Sequence, residues 1–238
     1  MAVFPLLAAA ISGWFCLDLF RRFWRSRRPQ HLAWAVALGA FALASFSAGA
    51  GMALGWSPGW FRSYYYFGAV VNVPVLALGT LYLYLPRRLG HVCAAGVAGL
   101  AGYAAAVVLA ADLQPSLAAV AGTIPMGSEV ISDRARALSR YYSYAGFVIV
   151  VAGAVWSAAK LVRRPGEAAR RLMQGNVLIA LGTSVVAVAS VFARQGRGSV
   201  FAVGLALGAG GMYAGFLRAS TPRDGAAGQG APTGGDLT

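Results

Sequence analysis

The sequence predicts an all-α integral membrane protein: a bundle of seven transmembrane helices, N-terminus outside and C-terminus in the cytoplasm. Three observations carry that prediction. They are a composition ill suited to water, seven apolar runs of bilayer length, and basic residues gathered mainly in alternate loops. Of the 238 residues, 58% are hydrophobic and 11% charged, where a soluble domain carries about 25% charged residues. The net charge of +13 does not point to nucleic acid, because a nucleic-acid binder gathers basic residues on a solvated face among polar ones. Here they stand in short loops between apolar runs.

A helix crossing about 30 Å of hydrocarbon takes about 20 residues. Runs of that size cover residues 2–20, 32–54, 64–85, 92–111, 141–159, 177–193 and 200–217. The first is not a cleaved signal peptide, which has its positive charge before a short apolar core; here the charge follows, in "RRFWRSRRPQH". Positive residues stay cytoplasmic, so that loop lies inside and Met1 outside. The other loops test this independently. Seven crossings assign Arg87 and Arg88, the basic residues from Lys160 to Arg171, Arg218 and Arg223 to the inside, 14 of the 20 in all with the first loop. Arg62, Arg134, Arg136, Arg140, Arg194 and Arg197 fall outside.

The fourth and fifth runs are joined by the one long connection, residues 112–140, whose second half reads as helical turns leading into the fifth span with Ser128 as N-cap. Residues 1–218 form the membrane domain. Residues 219–238, "ASTPRDGAAGQGAPTGGDLT", hold too few apolar groups to offset the entropy of ordering and are expected to be a disordered cytoplasmic tail. The second and sixth runs echo one another, "ALGAFALASFS" against "ALGTSVVAVAS". A duplication would give two parallel three-helix units joined by the fourth span. That arrangement resembles the SWEET sugar exporters in architecture, although the last three spans lack the prolines those transporters carry in their path-lining helices.

No ionisable residue stands near the middle of any run, which argues against a proton pump or cation-coupled antiporter. Seven helices with an outside N-terminus resemble microbial rhodopsins, which hold retinal on a lysine of the last helix. The last span has no lysine, so a retinal Schiff base is excluded, and no cofactor is predicted. Asp18, with Arg21 and Arg22 three and four residues on, reads as an interfacial ion pair. His31 and His91 open two spans on the same face but are too few for a structural zinc site; no metal is predicted. Cys16 and Cys93 read as small apolar filler.

The third run, "YYYFGAVVNVPVLALGTLYLYLP", places Asn72 and Pro74 near its middle. Proline removes a backbone donor, so the helix is expected to bend and the Val70 carbonyl to need another partner. Asn72 must face another helix, since lipid would leave its amide unsatisfied. Ser12, Ser45, Ser47, Thr183 and Ser184 lie at similar depth and are expected to converge with Asn72 on a polar midplane pocket. The aromatics from Trp56 to Tyr66 and from Tyr141 to Tyr144 read as an interfacial belt or a vestibule beside Arg62 and Arg140, with Tyr66 and Tyr144 at its mouth. Glycine pairs four apart, Gly51 and Gly55, Gly204 and Gly208, Gly211 and Gly215, allow close helix approach, within one chain or in a homo-oligomer.

No catalytic or phosphate-binding motif occurs. The reading is therefore a receptor-like or transporter-like protein of the cell (inner) membrane, binding a small neutral, lipidic or weakly anionic molecule. Asn72 would orient the ligand and Pro74 would be the hinge. An accessory subunit without a ligand, or a membrane-embedded enzyme, are the alternatives.

Overall fold

The computed structural model describes residues 1–114, 122–125, 127–162 and 166–220, and among these there is no strand. Seven helices are long and apolar enough to cross a membrane. They are α1 (Val3–Ser26), α2 (Pro29–Leu54), α3 (Pro58–Tyr84), α4 (Arg87–Ala110), α5 (Asp133–Val162), α6 (Glu167–Arg194) and α7 (Gly198–Ser220).

Most of the helices outrun their apolar cores. α1 continues through Arg21, Arg22 and Arg25 to end at Arg27, whose φ of 51° puts it in the left-handed region. The Arg22–Asp18 pair, 3.4 Å apart, links successive turns of that extension. Pro29 starts α2 and Pro58 starts α3, where a missing N–H costs nothing because the first-turn donors have no helical partner. Ser57 Oγ accepts the Trp60 N–H at 3.3 Å as the N-cap of α3. Pro86 separates α3 from α4.

The reading of the long connection needs correcting. A single helical turn begins at Gly127, not Ser128, and stops at Val130; α5 then starts afresh at Asp133, two turns before the apolar run. An Arg136–Asp133 pair at 2.6 Å and an Arg136 bond to the Ser128 carbonyl at 3.1 Å fasten that polar extension. At the other end α7 runs to Ser220; the rest of the expected tail, 221–238, lies outside the described residues.

Six helices close a ring. α1 packs on α2, α2 on α3, α3 on α5, α5 on α6, α6 on α7, and α7 returns to α1, while α4 lies outside against α3 and α5. Only Gly90, Ala104 and Val108 of α4 are buried. The neighbour order maps onto itself when α1–α3 are exchanged for α5–α7. The echoed sequences do not share that equivalence: Gly39 faces Cys16 of α1, whereas Gly182 faces α7.

α3 carries the main irregularity. Residues 65–71 form π-helical turns, in which the Asn72 N–H reaches back to the Phe67 carbonyl, five residues away. A regular α-turn would drive the Pro74 ring against the preceding carbonyls, and the widened register accommodates it. In that register Pro74 is the residue that would serve Ala69, and it has no N–H. Ser143 of α5 donates to the Ala69 carbonyl instead, at 2.9 Å. The carbonyl supplied from another helix is thus Ala69, one residue before the expected Val70. Ser143→Ala is expected to lower stability by about 0.5–1 kcal/mol, the size of an interhelical bond in a membrane bundle, read as a small drop in the unfolding midpoint in detergent.

Several of the aromatics between Trp56 and Tyr66, at the start of α3, pack into the bundle. Trp56 is 6% and Phe61 0% exposed. Phe61 stacks on Tyr65 at 5.8 Å, Tyr64 meets Trp56 edge-on at 5.8 Å, and Trp56 Nε1 donates to the Thr123 carbonyl at 2.8 Å. These rings close the end of the bundle that holds Met1.

Candidate functional site

The ring encloses a cavity of about 460 Å³, within the range of small-molecule sites. Its wall comes from the N-terminal halves of α3, α5 and α7 and from the middle and C-terminal parts of α2 and α6. Successive helices alternate in direction, so α3, α5 and α7 run away from the Met1 end while α2 and α6 run toward it, and the cavity lies in the half of the bundle nearer Met1. Phe41, Phe147, Val186, Phe201 and Leu205 form much of the apolar surface, with Ser45, Asn72, Ser143, Thr183 and Ser190 among them. No acid lines it.

Most of these hydroxyls are already engaged. Thr183 Oγ1 donates to the Ile179 carbonyl at 2.9 Å and lies 3.5 Å from Met212 Sδ. Ser190 donates to the Ala187 carbonyl at 2.6 Å, and Ser139 pairs with the Tyr65 hydroxyl at 2.9 Å. Ser45 is different: it is 1% exposed, its Oγ is fully shielded, and it has no hydrogen-bond partner. A buried hydroxyl left unpaired costs about 1–3 kcal/mol. The Asn72 amide likewise makes no hydrogen bond to any described residue. One wall of the cavity thus carries an unpaired hydroxyl and the next an unpaired amide.

The rim lies between α5 and α6. Tyr144 and Val188 are each 57% exposed although they line the cavity, and Val191 and Arg140 are exposed beside them. Lining residues on α2, α3 and α7 are not exposed. The opening is therefore lateral, toward whatever surrounds the bundle. The Arg140 guanidinium, at the end nearer Met1, has no hydrogen bond or ion pair with another described residue.

The sequence-derived residues divide. Asn72, Ser45, Thr183 and Tyr144 line the cavity. Ser47, Ser184, Tyr66 and Pro74 do not. Ser47 Oγ lies 2.8 Å from both the Leu43 carbonyl and Ser63 Oγ, at the α2–α3 contact. The Tyr66 hydroxyl donates to the Ala101 carbonyl at 3.1 Å, turned toward α4 and away from any mouth. Pro74 faces an apolar groove of about 370 Å³ between α3, α4 and α5, and Ser184 lines none of these spaces. Ser12, also buried without a partner, lies on α1 outside the cavity. Ser139, Ser143 and Ser190 join the site unannounced. Ser190 closes the stretch that echoes α2, and the first two sit at helical spacing with Arg140 just before and within the fifth apolar run.

A third space, of about 140 Å³, lies in the opposite half, among Phe15, Trp34, Thr80, Ser157, Ile179 and Phe216. It shares four wall residues with the main cavity: Leu38, Leu76, Val150 and Met212.

The two histidines serve separate local bonds, His31 Nδ1 with Ser26 Oγ at 2.9 Å and His91 Nδ1 with the Tyr82 hydroxyl at 3.0 Å. Among the described residues no three His, Cys, Asp or Glu side chains gather at a metal-binding distance. No protein-family model, curated protein or solved structure matches the chain.

Proposed function

We propose that this protein resides in the cell membrane, the inner one where there are two, and binds a small amphiphile in the cavity between α2, α3, α5, α6 and α7. Its N-terminus is outside, because the basic residues cluster at the opposite end of the bundle and such residues stay cytoplasmic. The observation that carries the binding reading is the cavity of about 460 Å³ itself, with the unpaired Asn72 amide in its wall. Buried polar groups are nearly always hydrogen-bonded, and here the missing partner has room to be a guest.

The walls define the guest. Most of the contact is apolar, two neutral hydrogen-bonding groups stand within it, and the charge at the rim is that of Arg140. No acid offsets it there, so a cation is disfavoured. The lateral opening admits a molecule already dissolved in the outer leaflet. A neutral or singly anionic amphiphile fits, with its head at Arg140 and Tyr144, its tail among Phe147, Val186 and Leu205, and Asn72 fixing its orientation. A ligand-free structural subunit would have its midplane hydroxyls bonded between helices, as Ser47 and Ser63 are.

The test uses purified protein in mild detergent. The thermal unfolding midpoint is followed against 1-hexanesulfonate, which carries a fixed negative charge on a short apolar chain. A rise with concentration is expected for the wild type, and none for Asn72→Leu, whose midpoint without additive stays near the parent's. A wild-type midpoint indifferent to the additive, with no small molecule co-purifying by mass analysis, would count against binding.

A further inference from the structure

Resting on the binding reading just given, we infer that the protein carries its amphiphile through the bundle, and that Leu38, Leu76, Val150 and Met212 are the gate it passes. The two cavities within the ring lie in series along the bundle axis. One is built from the halves of α3, α5 and α7 that begin near the Met1 end. The other is built from the opposite halves, with Phe15 of α1, Trp34 of α2, Ser157 of α5 and Phe216 of α7. They are separated by the four residues they share. All four are apolar, and Leu38, Val150 and Met212 are each under 10% exposed. An apolar constriction of this kind keeps out water and ions without any charged latch.

The origin of the four residues indicates how the gate opens. Leu38 and Leu76 belong to α2 and α3; Val150 and Met212 belong to α5 and α7. Each three-helix arc of the ring supplies two. A shift of one arc against the other therefore separates the septum and leaves the packing inside each arc intact, which is how repeat-built transporters alternate access around a central site. Among the described residues no ion pair joins the arcs: the three salt bridges all lie within single helices. At the α1–α7 seam the arcs meet through rings, Phe15 lying 5.3 Å from Tyr213 and 4.5 Å from Phe216. The polar groups are also spaced for passage. Ser45, Asn72 and Thr183 stand on the Met1 side of the septum, and Thr80 and Ser157 on the other. A head group crossing the gate leaves one set and meets the next.

Two measurements test this. The first places single cysteines in a Cys16→Ala/Cys93→Ala background, at Ser190→Cys, in the half-buried wall of the main cavity, or at Thr80→Cys. Sealed vesicles are then treated from each face with the membrane-impermeant anion sulfonatoethyl methanethiosulfonate. Ser190→Cys is expected to react from one face only and Thr80→Cys from the other. Adding Leu38→Ser with Val150→Ser is expected to make both reactive from both faces. Reaction of both sites from the same face overturns the septum, as does unchanged sidedness in a gate variant that still elutes as a single species.

The second loads proteoliposomes with 1-hexanesulfonate, which cannot leave as a neutral acid. Wild-type protein is expected to speed efflux above that of protein-free liposomes. Ser157→Trp, placed beyond the gate and outside the binding cavity, is expected to return efflux to the protein-free rate while keeping the wild-type thermal shift. Binding without accelerated efflux overturns transport and leaves the binding site standing; absence of both overturns both readings.

Discussion

Gly182→Val is expected to remove the folded protein from detergent extracts. A side chain at Gly182 would put its first carbon 2.7 Å from the Gly208 carbonyl oxygen and 2.7 Å from the Met212 backbone nitrogen. Those atoms belong to a neighbouring main chain and cannot rotate away as a flexible side chain can. The same closeness recurs along the α6–α7 interface, the most extensive in the molecule. Gly215 lies against Gly175, Gly208 against Gly182, and Gly204 against Ala189. On α6 these positions are seven residues apart and on α7 seven and four, in the opposite order along the chain. Two antiparallel backbones are thus drawn together over three contacts. Within lipid no water drives helices together, so association depends on such close packing. Overpacking a core usually costs 1–3 kcal/mol, and here about 3 kcal/mol or more is expected because main chain would have to move. That is a large share of a stability near 5–15 kcal/mol. Gel filtration of the fluorescently tagged variant reads the result. Gly210→Val is the control, since a carbon added there meets nothing within 4 Å. A Gly182→Val protein that elutes and melts like its parent would show that the interface is not as described.

The second large effect is functional. Ala187 lines the main cavity from α6, opposite Ser45 and Asn72 on their own helices. Ala187→Phe sets a ring into that space. If the space exists to be occupied, the thermal response to 1-hexanesulfonate is lost while the unliganded protein keeps its midpoint or gains about 0.5–2 kcal/mol, the usual return on filling a void. Few substitutions are expected to abolish binding and stabilise the fold together. An undiminished response to the additive in Ala187→Phe would place the ligand elsewhere.

The seven helices were legible because their length is set by the thickness of hydrocarbon and needs no partner to be read. The depth of Ser45, Asn72 and Thr183 was legible for the same reason, since counting residues from a helix end gives height along it. Facing was not. Ser45 and Ser47 differ by two residues, roughly 200° around a helix, and only the placement of α3 decides that Ser47 meets Ser63 while Ser45 lies shielded in the cavity wall. Helical turns leading into α5 were legible from the lack of Gly and Pro after Ser128, but not the break between Val130 and Asp133. A helix outside hydrocarbon is held by pairs such as Arg136 with Asp133, whose placement apolar counting does not register. Proline foretold a disturbance in α3, but whether it became a bend or a widened turn depended on Ser143 reaching Ala69 from another element. The interval between Gly175, Gly182 and Ala189 was present in the sequence all along, although only the matching glycines of α7 had drawn notice.

The wide turns of α3 amount to one surplus amino acid carried inside the helix. Losing a single residue between Tyr65 and Val71 in a chain that has also exchanged Pro74 for a residue with an N–H would let the ladder close into ordinary α turns, and everything on either side would keep its present azimuth. The same loss in α2 has no slack to absorb it and would swing the remainder of that helix by about 100°, carrying Ser45 out of line with Asn72. Length variation in descendants of this chain is therefore tolerable at one place in the membrane and ruinous a helix away.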